Sequence, residues 1–280
     1  MLRASIRSSL RWFSCNVPVR GRLKLADKLG ALIAPKEAEL FSVNGITVEL
    51  DHAQLTHRMM YYDLYEENVM NFLKDYLKPG MIVFDPGANM GYFAAKCLGM
   101  VRPGGKVYSF EPSNTCLERL RANNDPSSIE NWELLPMALT DRTGEMTFYD
   151  TPRVITRGYA CLENVSAPAD RIPHKAQVTT IDDFCTERAI ARIDFLKLDI
   201  EGSELPALRG AAGMITRGAI PVILVETTLT ETDRSITEEI DRLLRAAGYR
   251  SFHVERNGSL RPIDVLSRKQ LREDIIWRSK

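Results

Sequence analysis

The sequence predicts an α/β fold: a doubly wound, mostly parallel seven-stranded sheet with helices on both faces. Two observations predict it. From Met81 to about residue 247, short apolar runs alternate with segments of helical periodicity, the pattern of a parallel sheet covered on both sides. Four of those runs also end in an acid: Asp85, Glu111, Asp199 and Glu226. Such sheets bind ligands outside the carboxyl ends of their strands, where strand order reverses, so all four acids are expected on one rim.

The elements follow in order. The first 24 residues carry Arg3, Arg7, Arg11, Arg20, Arg22 and Lys24, with no acid before Asp27, and Leu2, Ile6, Leu10 and Phe13 recur at helical spacing. This segment reads as an amphipathic helix packed on the domain; a transit peptide and a membrane-surface helix are the alternatives. Phe41 to Leu50 reads as a hairpin turning at Asn44-Gly45, a strong two-residue signal. Residues 1–60 are thus a lead-in, and 61–280 the main domain.

Leu64, Val69, Phe72, Leu73, Tyr76 and Leu77 mark a helix that Pro79-Gly80 stops. Met81–Asp85, Lys106–Glu111 and Trp132–Ala138 read as the first three strands, with helices over 91–100 and 113–124 between them. Glu145–Tyr149 is an additional strand. Residues 150–178 read as a long irregular loop, the candidate acceptor lid. Thr180-Ile181-Asp182-Asp183 opens a helix with a capping signature. Ile193–Asp199 and Ile220–Glu226 are the fourth and fifth core strands. Helices are expected over 203–210 and 236–247. Tyr249–Val254 and Asp274–Trp277 supply two antiparallel edge strands.

Composition narrows the function classes. The 280 residues are 44% apolar, and Lys+Arg and Asp+Glu both number 37; a nucleic-acid binder would show a basic excess. Five scattered cysteines without a C-x-x-C argue against a zinc site or a disulfide framework. They fit a reducing, cytoplasmic location, with organelle targeting through the basic N-terminus as the alternative. No apolar run approaches the length of a transmembrane helix, so peripheral membrane contact through residues 1–24 is the one membrane association open.

The segment Asp85-Pro86-Gly87-Ala88-Asn89-Met90-Gly91 joins the first core strand to its helix. Gly87 allows a tight turn and close ligand approach, and the helix start offers free amides to a carboxylate. Glu111 closes the next strand, where an acid can bind both hydroxyls of a ribose. The turn is not G-x-G-x-x-G, which counts against a nicotinamide cofactor. An NAD- or nucleotide-sugar-dependent oxidoreductase is the rival enzyme, and an inactive scaffold the non-enzyme alternative.

These residues resemble a known family. Val83–Phe93 is similar to the first motif of the FkbM-type methyltransferases, Ser109–Ser113 with Leu120 and Asn123 to the second, and Ala138–Asp141 with Gly144 to the third. Thr180–Phe184 and Ile193–Glu204 resemble the next two. The resemblance runs from about residue 65 to 230. It implies a class I (Rossmann-like) methyltransferase sheet, S-adenosylmethionine as donor, and O-methylation of a sugar or natural-product hydroxyl. The cofactor-binding residues it points to are Asp85, Gly87, Ala88, Asn89, Gly91, Glu111, Pro112 and Ala138. Proline at position 86 departs from the family's branched aliphatic residue and removes one amide donor.

Attack by an alcohol needs a positioned base. Asp199 and Glu201, at the end of the fourth strand, are candidates, as is His174 in the lid. Asp199 and Glu201 have two other roles open: holding a divalent cation with Glu226, or bracing loops through backbone hydrogen bonds. No metal site is predicted. Lys197 is expected in an ion pair, and Tyr92 and Phe93 either in the core or against the cofactor. The partner is a small-molecule or glycan acceptor; the acceptor itself and the oligomeric state are not legible.

Overall fold

The computed structural model describes residues 2–17, 19, 21–150, 161–162, 172–200, 202–230 and 234–279. Two helices, α1 (Leu2–Asn16) and α2 (Arg22–Leu32), precede a hairpin of β1 (Glu39–Val43) and β2 (Ile46–Leu50). Val43 pairs with Ile46, and the turn residues Asn44 and Gly45 have φ of 48° and 96°, the left-handed pair that suits strand twist. The helices are docked on the domain. Leu10 and Ala26 join its core, Arg11 Nε and Ser14 Oγ donate to the carbonyls of Tyr61 and Tyr62 at 2.8 Å each, and Arg7 pairs with Glu39 at 3.0 Å.

Helices α3 (Leu55–Tyr61) and α4 (Glu67–Tyr76) lead into the alternating region: β3 (Ile82–Pro86), α5 (Tyr92–Val101), β4 (Lys106–Phe110), α6 (Asn114–Asn123) and β5 (Trp132–Leu135). Then come β6 (Met137–Leu139), β7 (Gly144–Asp150), β8 (Cys161–Leu162), β9 (Ile172–Thr179) and α7 (Ile181–Glu187). The chain continues as β10 (Phe195–Leu198), α8 (Glu204–Arg209), α9 (Ala212–Thr216), β11 (Val222–Leu229) and α10 (Arg234–Ala246). It ends with β12 (Arg250–Val254), β13 (Leu260–Pro262) and β14 (Leu271–Arg278).

The main sheet runs β13-β12-β14-β11-β10-β3-β4-β5. Strands β5, β4, β3, β10 and β11 are parallel; β14, β12 and β13 are antiparallel to their neighbours. The chain steps outward from β3 to β5, then returns to β10, so order reverses between β3 and β10. This is the doubly wound arrangement that the sequence predicts.

Successive residues feed opposite faces, as a pleated strand requires. Val83, Phe195, Val222 and Leu224 point into a core with α4 and α5. Phe84, Leu196, Ile223 and Val225 point into the other. There Phe84, Phe110 and Phe184 pack with ring centroids 5.0 to 5.6 Å apart.

Three expectations need correction. Among the described residues the sheet has eight strands, not seven, because β13 adds a short edge to β12. The third strand does not run through to Ala138. It breaks at Pro136, which has no N–H for a ladder, and β6 enters a second sheet of order β6-β9-β7-β8. The expected loop 150–178 is strand at its carboxyl end: residues 172–178 of β9 pair with the whole of β7. Its inward residues, His174, Ala176 and Val178, are too small or too polar to give strong alternation. Residues 151–160 and 163–171 of that segment lie outside the described residues.

Candidate active site

The reversal of strand order places the turn after β3 against the end of β10. Gly87 has φ of 76°, and a Cβ there would lie 3.0 Å from the Asp199 carbonyl oxygen and 3.1 Å from Ile200 Cγ2. Only glycine meets both conditions without strain. The amides of Gly87 and Ala88 donate to the Phe110 carbonyl at 2.8 and 3.1 Å, closing the turn without an N–H from Pro86. Asn89 and Gly91 are also left-handed, with φ of 51° and 82°. Gly91 is the residue from which α5 begins.

Glu111 ties the two βα turns together. Its carboxylate accepts from the Asn89 amide at 2.7 Å and from the Ser113 amide at 2.9 Å. Burial pushes its pKa up to about 7 despite those two donors. Asp85 is 1% exposed, and burial raises it too to about 7, with Lys197 and the Ser109 hydroxyl pulling the other way. A short polar chain backs it: Trp132 Nε1 donates to Ser109 Oγ at 3.0 Å, and Ser109 Oγ donates to Asp85 Oδ2 at 3.3 Å.

Lys197, in β10, sits at the centre of the acids. It is buried, 3.1 Å from Asp199 Oδ2 and 3.6 Å from Glu66 Oε1, with its Nζ 4.7 Å from the Phe93 ring centroid. Lys197 holds the Asp199 carboxyl below the usual carboxylate range. Burial and the adjoining Asp199 push Glu226, which is hydrogen-bonded to Asp199, up to about 7. Asp274, directly opposite Glu226 in register, rises to about 8 through burial and the charge of Glu66. Glu204 braces the loop after β10, accepting from the amides of Ile200 at 3.0 Å and Gly202 at 3.2 Å.

Asp85, Gly87, Ala88, Asn89, Glu111 and Asp199 therefore converge at one switch point, with Gly91 starting the adjoining helix. Pro112 follows Glu111, and its carbonyl accepts from His174 Nε2 at 2.9 Å. His174 is in strand β9, not a loop, with Nδ1 3.8 Å from Asp150. Ala138 lies in β6, paired with Val178 and packed on the small Phe148–Val178 cluster. Glu201 lies outside the described residues. Tyr92 and Phe93 are 3% and 5% exposed, core side chains in both cases. No cluster of metal-ligating side chains forms among the described residues.

Sequence reasoning missed Glu66, Ser109 and Asp274. Glu66 precedes α4 in a left-handed conformation, φ 47°, and its Oε2 is buried without a hydrogen-bond partner. A non-glycine residue held there is strained, and no local pattern announces it. The nearest signal is Lys197, a lone cation in an apolar strand, which implies a buried counter-charge without saying where in the chain it lies.

Residues 85–251, more than half of the chain, match the model of the methyltransferase FkbM domain. The 2-O-methyltransferase NoeI of Sinorhizobium fredii is 24% identical over 50% of this chain and 61% of its own length. The 31-O-demethyl-FK506 methyltransferase FkbM of Streptomyces tacrolimicus is 30% identical over 48% of this chain and 60% of its own. The hexuronic acid methyltransferase AglP of Haloferax volcanii is 23% identical over 72% of this chain and 78% of its own. The chain thus spans about three fifths of the length of the first two relatives. With the matched stretch running from the acid of β3 into strand β12, the chain belongs to the FkbM methyltransferase family, whose methyl donor is S-adenosylmethionine.

Proposed function

We propose that this protein transfers the methyl group of S-adenosylmethionine to a hydroxyl of a sugar or natural-product acceptor. The observation that carries the reading is the convergence of Asp85, Glu111 and Asp199 on the Gly87 turn, within the matched family segment. Two of the relatives are named for methylation at oxygen, which supports oxygen as the acceptor atom, and the third is named for a sugar acid.

The residues present fit the donor. Asp85 would hold its ammonium group, the turn at Asn89–Gly91 and the first amides of α5 its carboxylate, and Glu111 its ribose hydroxyls. Pro112 and Ala138 would border the base. Bound there, the donor supplies a methyl group on a positively charged sulfur. The surplus of carboxylates over Lys197 suits that charge, and a rim fixed in this way would hold donor and acceptor together, which supplies much of what such a displacement needs.

The acceptor hydroxyl must lose its proton as its oxygen takes the methyl group and the sulfur leaves as a neutral thioether. In this reading the Asp199–Glu226 pair takes that proton. Asp199 alone is a weak base because Lys197 stabilises its anion, whereas Glu226, raised to about 7, is matched to neutral pH. Glu201, in the loop beyond Asp199, would add a further carboxylate. His174 is committed to the Pro112 carbonyl and acts by positioning that wall.

Incubation with isotopically labelled donor and a panel of hydroxylated acceptors tests the reading. Label is expected in an ether methyl group. Transfer to amines alone, with every hydroxyl acceptor unlabelled, would overturn it.

A further inference from the structure

Helix α2 carries its side chains the wrong way round for a helix that only closes a core. The face turned inward presents Ala26 and Gly30, both buried; a Cβ on Gly30 would lie 2.7 Å from Cε2 of the Tyr62 ring. The large residues Leu25, Leu29 and Leu32, spaced i, i+4, i+7 along one stripe, are 42%, 41% and 74% exposed. A surface helix ordinarily buries such a stripe and exposes the small or polar residues. Tyr62 occupies the space that larger inward residues would need, so the leucines stay outside.

Charge says what suits this face. Residues 1–36 contain eight lysines and arginines and a single acid, Asp27, in a chain whose formal net charge is zero. Asp27 is taken up by Arg58, whose Nε donates to it at 3.1 Å. Lys24 and Lys28 border the leucine stripe and are exposed. An apolar stripe bordered by lysines that form no ion pair among the described residues matches a surface with hydrocarbon below and negative headgroups above.

We propose that α2 docks this protein on an anionic membrane surface. Leu25, Leu29 and Leu32 enter the interfacial zone, and Lys24 and Lys28 remain at headgroup level with their alkyl stems along the apolar boundary. With only three leucines engaged, the contact is reversible and sensitive to salt.

Flotation of the full chain with vesicles of phosphatidylcholine, alone or mixed with phosphatidylglycerol, tests this. The protein is expected to float with the mixed vesicles and not with the neutral ones. The combined Leu25→Ser, Leu29→Ser and Leu32→Ser variant should lose roughly a hundredfold in partition. Lys24→Glu with Lys28→Glu should lose binding to the mixed vesicles through a different substitution set. Unchanged far-UV dichroism would show that both variants fold. Failure of the wild type to float, equal flotation with neutral vesicles, or undiminished flotation of the serine variant would each overturn the proposal. So would a wild-type dimer in sedimentation velocity that the serine variant converts to monomer, which would put a second copy on this face.

Discussion

Lys197 stands between two carboxylates, 3.1 Å from Asp199 and 3.6 Å from Glu66, and is the cation about which the acidic rim is organised. Removing one partner of a buried pair leaves the others uncompensated, at a cost of about 3–5 kcal/mol. Lys197→Met should therefore lower stability by roughly that amount in urea unfolding. It should also raise the Asp199 pKa, which carbon-13 NMR of the carboxyl would read directly.

The raised acids make stability depend on pH in the unusual direction. Asp85, Glu111 and Glu226 sit at about 7, and Asp274 at about 8, against about 4 for a free carboxyl in the unfolded chain. Between those limits the folded protein binds more protons than the unfolded one, so stability falls as pH rises. Their contribution is complete below about pH 4 and gone above about pH 8. Asp199, held low by Lys197, acts oppositely, but only below about pH 4. Without donor, Tm should fall from pH 5 to pH 8, and Asp274→Asn should flatten the slope.

Asp85→Asn and Glu111→Gln keep size and much of the local hydrogen bonding, so both variants should fold. Each removes a charge that the proposed site would offer the donor. Calorimetric titration with S-adenosylhomocysteine should show weaker binding by roughly tenfold to a hundredfold, in line with a lost charged hydrogen bond. Undiminished affinity in both would dissolve the site.

Gly87→Ala places a Cβ 3.0 Å from the Asp199 carbonyl at a φ of 76°. Strain of this kind costs on the order of 1–3 kcal/mol, and relieving it moves the turn away from β10. Both Tm and donor affinity should drop, whereas Gly218→Ala, with positive φ but open space, should lower Tm alone.

Glu226 must be ionised to take a proton. The rate should rise as pH passes through about 7, and Glu226→Gln should remove that limb and cut kcat by about 10²- to 10⁴-fold. A pH–rate profile unchanged by the substitution would take Glu226 out of the chemistry.

Much of this was legible in the residues because strand-end acids and glycine turns are local signals. Asp85, Gly87 and Glu111 announce themselves within one βαβ unit, and the Asn44-Gly45 turn fixes its hairpin with two residues. What escaped depends on distant packing. Pro136 ends one strand and begins another in a different sheet, which an unbroken apolar run conceals. Strand β9 lacks the large inward residues that betray a strand. Glu66 and Asp274 reach the site from α4's leading turn and the antiparallel edge, neither of which a rule about parallel strand ends includes.

The Trp132–Ser109–Asp85 chain gives the Asp85 carboxyl an optical handle. Of the tryptophans, Trp12 is 65% exposed while Trp132 and Trp277 are 4% and 1% exposed, and Trp132 alone is wired through one hydroxyl to Asp85. Deprotonation of that carboxyl, or arrival of a cation beside it, changes the field along the indole N–H. Intrinsic fluorescence of a Trp12→Phe variant would then follow occupancy in real time, without a label.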